Sequence, residues 1–268
     1  MRFTFAYNRE GNVIPPVTPS VSDLVELGIL TKQISEFSND DIGTEVSIPY
    51  NNAGSGISGP IIFEVVGVNH HTTAEHPKTI TLMTKNIIRK AAFDAAEQNN
   101  TNSQRKNGGN NRWSVSNIRQ WLNSAGATGS WFTPRHEYDA APTYASEPGF
   151  LAGFSANVLQ HFTDITNTTN LNKVDGDGTE TTVDKVFLPS YTEMGLTTGE
   201  GSHLSIRYPD ANSRIKSGAD GIYWTRSPYV VMNPHHVGYI NPEGNSPNYV
   251  FFMGASADNG IAPIIVLH

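Results

Sequence analysis

The stretch Gly260–Leu267 reads GIAPIIVL and is nearly all apolar. Four of its residues are the β-branched Ile or Val, which favour extended backbone because they pack well on a pleated surface. A short apolar run of this kind, introduced by Asn259-Gly260 as a turn signal, is typical of a strand buried on both faces. We therefore predict a buried strand over Ile261–Leu267.

Three earlier stretches extend this pattern. Arg112–Asn123 (RWSVSNIRQWLN) contains Ser114 and Ser116, either of which can cap a helix whose apolar stripe is Val115, Ile118, Trp121 and Leu122. Asp184–Leu196 reads DKVFLPSYTEMGL, and Tyr223–Pro228 reads YWTRSP. In YWTRSP, Trp224 and Arg226 alternate along a strand. We expect the tryptophan in the core and the arginine buried against a carboxylate.

In this order the four stretches resemble an uncharacterised family of bacterial and phage domains built on the C-type-lectin-like fold, over about residues 60–268. The resemblance implies an α+β domain with short helices packed on twisted antiparallel sheets and with long loops. It also implies that the two ends of the domain pair, so that the C-terminal strand lies beside the N-terminal strand. Relatives commonly have Gly-Val-Arg-Pro where this chain has Gly260-Ile261-Ala262-Pro263. The fold itself carries no single activity.

Composition narrows the class further. The 268 residues are 16% charged and include 24 Gly and 16 Pro, which suits a turn-rich α+β or mostly β body. The net charge of −7 argues against nucleic acid as a partner, because such proteins cluster Lys and Arg. The absence of cysteine excludes disulfides, Cys-based zinc sites and the cysteine-dependent chemistry of the formylglycine-generating enzymes, which share the fold.

No targeting or spanning segment is visible. Residues 1–11 (MRFTFAYNREG) lack the apolar core of a signal peptide, and no run is long enough to cross a bilayer. We expect synthesis in a host cytoplasm without membrane insertion.

The chain divides into an N-terminal part and a main domain. Residues 1–50 are interpreted either as an arm that docks on a neighbouring subunit or as the first strand and loop of one domain, with a strand over Arg2–Tyr7 and a helix over Ser22–Leu30. Asn51–Pro60 (NNAGSGISGP) has the composition of a linker. The domain at 60–268 is expected to start with strands at Ile61–Val68 and Thr79–Thr84. Helices are then predicted at Lys85–Gln98 and Gly149–Phe162, with an exposed mobile loop at Asn99–Asn111 between them.

Metal and catalytic signals are weak. His70, His71 and His76 share one loop, but adjacent histidines on a strand point in opposite directions and rarely chelate one ion. Asp175–Glu180 (DGDGTE) lacks the glutamate that a calcium loop needs at its twelfth position, and it is better interpreted as a hairpin tip with two Asp-Gly turns. No nucleophile elbow, phosphate loop or dinucleotide fingerprint occurs. We predict no catalytic residues, no metal and no cofactor.

The richest candidate surface is the stretch 229–259, where Tyr, Asn and His stand among Gly and Pro. Tyr offers large contact area at low entropic cost, and Asn offers adaptable hydrogen bonds, as in binding loops. The same residues also form inert turns. The predicted ligand-binding residues are Asn233, His235, His236, Tyr239, Asn241, Asn245, Asn248 and Tyr249.

These features favour a non-enzymatic virion surface protein of a bacteriophage, such as a tail tip, fibre or head decoration. We expect it to bind a host-surface glycan or protein, to contact other virion proteins through the arm, and to form a homo-oligomer whose multivalent display strengthens weak contacts. Two alternatives stay open: a purely structural decoration protein with no host ligand, and an enzyme that degrades cell-wall polysaccharide.

Overall fold

A computed structural model describes residues 24–245 and 250–268, together with the backbone of two short strands nearer the N-terminus. The strands are, in chain order, β1 Ala6–Tyr7, β2 Val13–Ile14, β3 Glu45–Ile48, β4 Ile61–Val68, β5 Ile80–Thr84, β6 Arg89–Ala92, β7 Ile165–Asn170, β8 Thr179–Asp184, β9 Val186–Phe187, β10 Tyr223–Pro228, β11 His236–Ile240, β12 Phe251–Gly254, β13 Asp258–Ile261 and β14 Ile264–Leu267. The α-helices are α1 Ser103–Gly108, α2 Asn117–Leu122 and α3 Ala156–Leu159. The predicted α+β class is confirmed, with sheets predominating.

The first five-stranded sheet has the order β3-β4-β5-β14-β9, and all its neighbours are antiparallel. Its strands form where the sequence runs are short, apolar and β-branched, which fits strands covered by other layers. The four residues of β14 are fully buried. The prediction of a strand at Ile61–Val68 is confirmed, and that at Thr79–Thr84 is confirmed to within one residue.

The C-terminal strand differs from expectation in its neighbours and in its length. β14 pairs with β5 and β9, so β5 separates it from β4, the first strand of the predicted 60–268 domain. The apolar run is also divided: Ile261 ends β13, Pro263 interrupts the chain, and β14 begins at Ile264. Proline lacks the N–H that a continuous ladder would need.

The second five-stranded sheet has the order β12-β11-β10-β13-β6, in which β10 and β13 run parallel. Asn259-Gly260, predicted as a turn, lies inside β13. A Cβ on Gly260 would stand 2.3 Å from the carbonyl oxygen of Ile222, so glycine is needed here for close approach of two backbones.

The predicted helix at Lys85–Gln98 is wrong. Its centre forms β6, which pairs antiparallel with β13, and Trp224 donates from Nε1 to the carbonyl oxygen of Ala91 at 2.9 Å. Ala91 and Ala92, which favour a helix by their spacing, are buried in this strand. Sheet pairing thus overrides local helix propensity.

Other local predictions hold in part. Ser116 caps α2 through a hydrogen bond from the Arg119 amide, as expected. Gly149–Phe162 forms two short pieces, a 3₁₀ turn at Phe150–Gly153 and α3, instead of one helix. In Ser22–Leu30 the described residues form turns, with Gly28 at φ +68°, while the predicted cap Ser22 lies outside the described residues.

The core joins both sheets to the helices. Trp113, Trp121 and Trp224 are completely buried, which confirms the placement of Trp224. The ribbon β7–β8 carries the predicted hairpin tip, where Gly176, Asp177 and Gly178 all adopt positive φ. In the described ranges no helix has the length and apolar character needed to cross a membrane.

Candidate functional site

Three segments that are distant in sequence meet at one end of the second sheet. They are residues 102–111 with α1, the hairpin tip 172–178, and the β10–β11 connection 229–236. Gln104 Nε2 donates to Asn233 Oδ1 at 2.8 Å, and the Lys173 amide donates to the carbonyl oxygen of Val230 at 3.0 Å. We refer to these three segments together as the three-loop surface.

The buried side chain of Asn111 holds the β10–β11 connection in place. Its Nδ2 atom lies 3.2 Å, 3.4 Å and 3.0 Å from the carbonyl oxygens of Tyr229, Asn233 and His236. An amide carries two N–H donors, so two of these three contacts are made at a time. One side chain therefore ties the beginning, middle and end of the connection together.

Asn172 and Arg105 lock the other two segments. The buried Asn172 donates from Nδ2 to the carbonyl oxygen of Tyr229 at 2.6 Å and accepts from the Val174 amide at 2.9 Å. Arg105 donates to the carbonyl oxygen of Pro234 at 3.2 Å and pairs with Asp175 at 2.5 Å. Because these contacts exist before any ligand arrives, the surface is preorganised and loses little conformational entropy on binding.

The stretch Asn99–Asn111, predicted as an exposed mobile loop, is exposed in its first part but contains α1 and is buried at its end. Asn102 caps α1 by accepting from the amides of Gln104 and Arg105, and the segment from Gly108 to Asn111 is buried. The tract contains no large apolar residue to anchor it, yet polar side chains anchor it equally well because their partners come from distant parts of the chain.

The three-loop surface presents both apolar and polar groups. Val174, Val231 and Met232 are 56%, 46% and 66% exposed. Beside them the rings of His235 and His236 lie 4.2 Å apart. Burial lowers the pKa of both histidines, and for His235 the neighbouring His236 lowers it further. Both imidazoles are therefore uncharged at pH 7 and are able to hydrogen-bond a neutral ligand.

The structure divides the predicted ligand-binding residues into two groups. Asn233, His235 and His236 lie together on the three-loop surface. Tyr239 lies near the other end of β11, and Asn241 and Asn245 lie beyond it; at a rise of about 3.4 Å per residue, Tyr239 and Asn241 are about 10 and 17 Å from His236. Asn248 and Tyr249 lie outside the described residues.

Asn241 and Asn245 are used in a turn. Asn241 Oδ1 accepts from the amides of Glu243 and Asn245, while Asn245 Oδ1 accepts from the Asn241 amide at 3.0 Å. Asn245 also donates to the carbonyl oxygen of Tyr239 and adopts φ +57°. These contacts are those of turn-forming asparagines.

A buried ion pair supports the strand that leads into the surface. Arg226 on β10 donates from Nη1 and Nη2 to Glu193 at 2.7 and 2.9 Å, and both side chains are about 1% exposed. Burial alone would raise the pKa of Glu193, but the attraction of Arg226 and the hydrogen bond from His71 outweigh it and hold this pKa well below its usual range. The expected pairing of Arg226 with a carboxylate is confirmed, and its acidic partner lies in the stretch DKVFLPSYTEMGL.

The clustered histidines of the first loop point to different partners. His70 lies 3.2 Å from Ser202 Oγ, His71 contacts Glu193, and the His76 ring stacks on that of His268. Across residues 24–245 and 250–268, no group of three or more His, Asp or Glu side chains is placed to hold a metal ion.

Comparison with protein families gives a match over residues 78–268, to a family described as a domain of unknown function, DUF6273. The chain belongs to this family. No curated protein and no solved structure gives a significant match. Within the DUF6273 region β5 is the first strand, so its pairing with β14 joins the first and last strands of that region.

Proposed function

We propose that this DUF6273 protein is a non-enzymatic, C-type-lectin-like module on the surface of a bacteriophage particle, and that its three-loop surface binds a host-surface glycan or protein. The observation that carries the proposal is the locking of three distant segments by Asn111, Asn172 and Arg105. Loops placed by a rigid scaffold are where binding residues concentrate. The paired first and last strands of the DUF6273 region support the lectin-like fold.

The chemistry of the three-loop surface suits recognition better than catalysis. Its exposed groups are apolar side chains, amides and the charged side chains of Lys106, Lys173 and Asp177, with the half-buried imidazoles of His235 and His236 beside them. The buried charge pair of Arg105 with Asp175 is already satisfied. The buried carboxylates of Glu193 and Glu200 are engaged in the core with Arg226 and Ser227. Such groups stabilise the fold and are not exposed to a substrate.

Exposed Val174, Val231 and Met232 favour a second candidate within the same framework. Exposed apolar side chains on one surface favour a protein contact, so the three-loop surface would also suit a neighbouring virion protein in a purely structural decoration role. Contact with other virion proteins through residues 1–50, and homo-oligomerisation, remain part of the proposal.

A comparison of variants tests the proposal. The full-length protein, an Asn233→Ala/His236→Ala variant and a Lys90→Ala control are applied to a glycan array and to intact host-type cells. Lys90 is exposed on β6, the sheet edge opposite β12. We expect wild type and control to bind and the double variant to lose about tenfold in affinity, equal to about 1.4 kcal/mol. Equal binding by all three would reject the surface, and no binding by folded wild type would favour the structural decoration role.

A further inference from the structure

A polar cleft of about 480 Å³ lies away from the three-loop surface and shares no lining residue with it. Its walls come from the loop 73–76, from residues 160–164, from Lys185 and from His268. A cleft of this volume falls within the range of small-molecule sites.

Backbone pairing fixes His268 in the wall of this cleft. The Thr163 amide donates to the carbonyl oxygen of Val266 at 2.8 Å, and the His268 amide donates to that of His161 at 3.1 Å. Thr163 Oγ1 then lies 3.0 Å from Nδ1 of His268. The His76 ring stacks on His268 with centroids 3.5 Å apart and planes inclined by 25°. The cleft thus has a flat, immobilised pair of imidazoles in one wall.

The polar cleft is lined by two carboxylates, Asp164 and Glu75, and by one lysine, Lys185. Lys185 Nζ lies 3.1 Å from Asp164 and donates to the carbonyl oxygen of Phe162. Burial, followed by the charges of His76 and His161, lowers the pKa of His268 to about 4, so this ring is neutral at pH 7. With the carboxylate of Glu75 also in the wall, no unpaired positive charge attracts a phosphate or a carboxylate. Closely spaced donors and acceptors of this kind suit the hydroxyl groups of a neutral ligand.

A second cleft, of about 270 Å³, adjoins the first and shares His268 with it. Leu24, Leu30 and Ile34 give it an apolar side, and Lys78 and His161 also line it. Gln33 and Ser35 stand in the same wall, where they can meet a polar group. A ligand that occupies both clefts therefore needs a hydroxylated body and a short apolar substituent.

We infer that the paired clefts form a binding site for an N-acylated sugar. The sugar ring lies in the polar cleft against the stacked imidazoles of His76 and His268, its acyl methyl group lies against Leu24, Leu30 and Ile34, and its amide meets Gln33 or Ser35. This site is additional to the three-loop surface and does not depend on its activity.

Isothermal titration calorimetry of the full-length protein tests this site, with tri-N-acetylchitotriose compared with cellotriose, which lacks the acetamido groups. We expect the acetylated trisaccharide to bind at least about tenfold more tightly, a difference of about 1.4 kcal/mol. His76→Ala should weaken its binding by about tenfold, and Ile34→Ser should reduce the preference over cellotriose. Lys90→Ala, on the edge strand β6 and outside both clefts, should leave both affinities unchanged.

Thermal unfolding of each variant shows that it is folded before its affinity is interpreted. Equal affinities for the two trisaccharides, no binding of either by folded wild type, or unchanged binding by folded His76→Ala would overturn the inference. Loss of host-cell binding in Asn233→Ala/His236→Ala with chitotriose binding intact would show that the two sites are separate. If chitotriose fails to bind while host-cell binding persists, only the paired clefts are rejected.

Discussion

Replacing Asn111 by leucine tests how the β10–β11 connection is held. Leucine has the same branching of side-chain heavy atoms as asparagine, but it has no polar atoms and a larger volume. The change therefore removes the hydrogen bonds to the carbonyl oxygens of Tyr229, Asn233 and His236 and places methyl groups against them. Asn107, exposed on α1, provides the matched control, since Asn107→Leu makes the same chemical change on the same segment.

The expected loss of stability in Asn111→Leu depends on which hydrogen-bond donors remain for the three carbonyl oxygens. Tyr229 O still accepts from Asn172, Asn233 O from the His236 amide, and His236 O from the Tyr229 amide. None is left without a donor, so the loss is that of two net hydrogen bonds at about 1 kcal/mol each. Removing the buried Asn111 Oδ1, which has no hydrogen-bond partner, offsets part of this cost, and the tighter packing of the larger leucine adds to it. We therefore expect Asn111→Leu to lower the free energy of unfolding by about 2 kcal/mol and Asn107→Leu by less than about 0.5 kcal/mol.

Urea unfolding measures the global cost, and amide hydrogen exchange locates it. The amides of Tyr229 and His236 donate hydrogen bonds to carbonyl oxygens within the β10–β11 connection, and these bonds slow their hydrogen exchange. Their exchange should therefore accelerate in Asn111→Leu and not in Asn107→Leu. If the two variants lose equal stability, or if exchange at these amides does not change, Asn111 does not hold the connection.

Three further predictions concern the core. Lys216 is buried, and burial lowers its pKa to about 7. Between pH 7 and 10.5 the lysine is therefore protonated in the unfolded chain and neutral in the folded protein, so the free energy of unfolding of wild type, relative to Lys216→Met, should rise with pH by up to about 1.4 kcal/mol per pH unit. A difference between the two proteins that does not change with pH in urea titrations would contradict this. Arg226→Met should cost about 3–5 kcal/mol in chemical denaturation, because it leaves the Glu193 carboxylate buried without its cation, and removing both charges should restore part of that loss. If the variant that lacks both charges recovers none of the lost stability, the broken ion pair of Arg226 with Glu193 is not the cause of the loss. Gly260→Ala should lower the melting temperature by an amount equivalent to about 1–3 kcal/mol, because the new methyl group meets the carbonyl oxygen of Ile222, and an unchanged melting temperature would refute the close backbone approach.

Sequence periodicity correctly predicts the helices and strands whose apolar pattern does not depend on which distant segment they pack against. Ile61–Val68 and α2 carry clear apolar patterns with a cap or a β-branched run, and both form as expected. Lys85–Gln98 has helical spacing as well, but the backbone of Ala91 and Ala92 pairs with β13, and Ala91 accepts a hydrogen bond from Trp224; both partners lie more than 130 residues away. The residue pattern within these fourteen positions does not show that a distant strand will pair with them.

The candidate site is predicted only as far as residue type indicates it. Asn233, His235 and His236 are predicted because asparagine offers adaptable hydrogen bonds and loop histidines can hydrogen-bond a ligand, and the structure brings the three together. The same reasoning selects Asn241 and Asn245, whose side chains form a turn, because asparagine serves both purposes. The buried asparagines that hold the surface, Asn111 and Asn172, give no periodic or motif signal, since their importance comes from three-dimensional contacts alone.

Hydrogen-exchange footprinting of the full-length protein, with and without fragments of host-type cell surface, tests the proposed function most directly. If the three-loop surface is the contact, amides in 172–178 and 229–236 gain protection on addition of the fragments, and the Asn233→Ala/His236→Ala variant does not show the gain. Protection that appears only elsewhere, or that the variant retains in full, would contradict the proposal that this surface recognises the host.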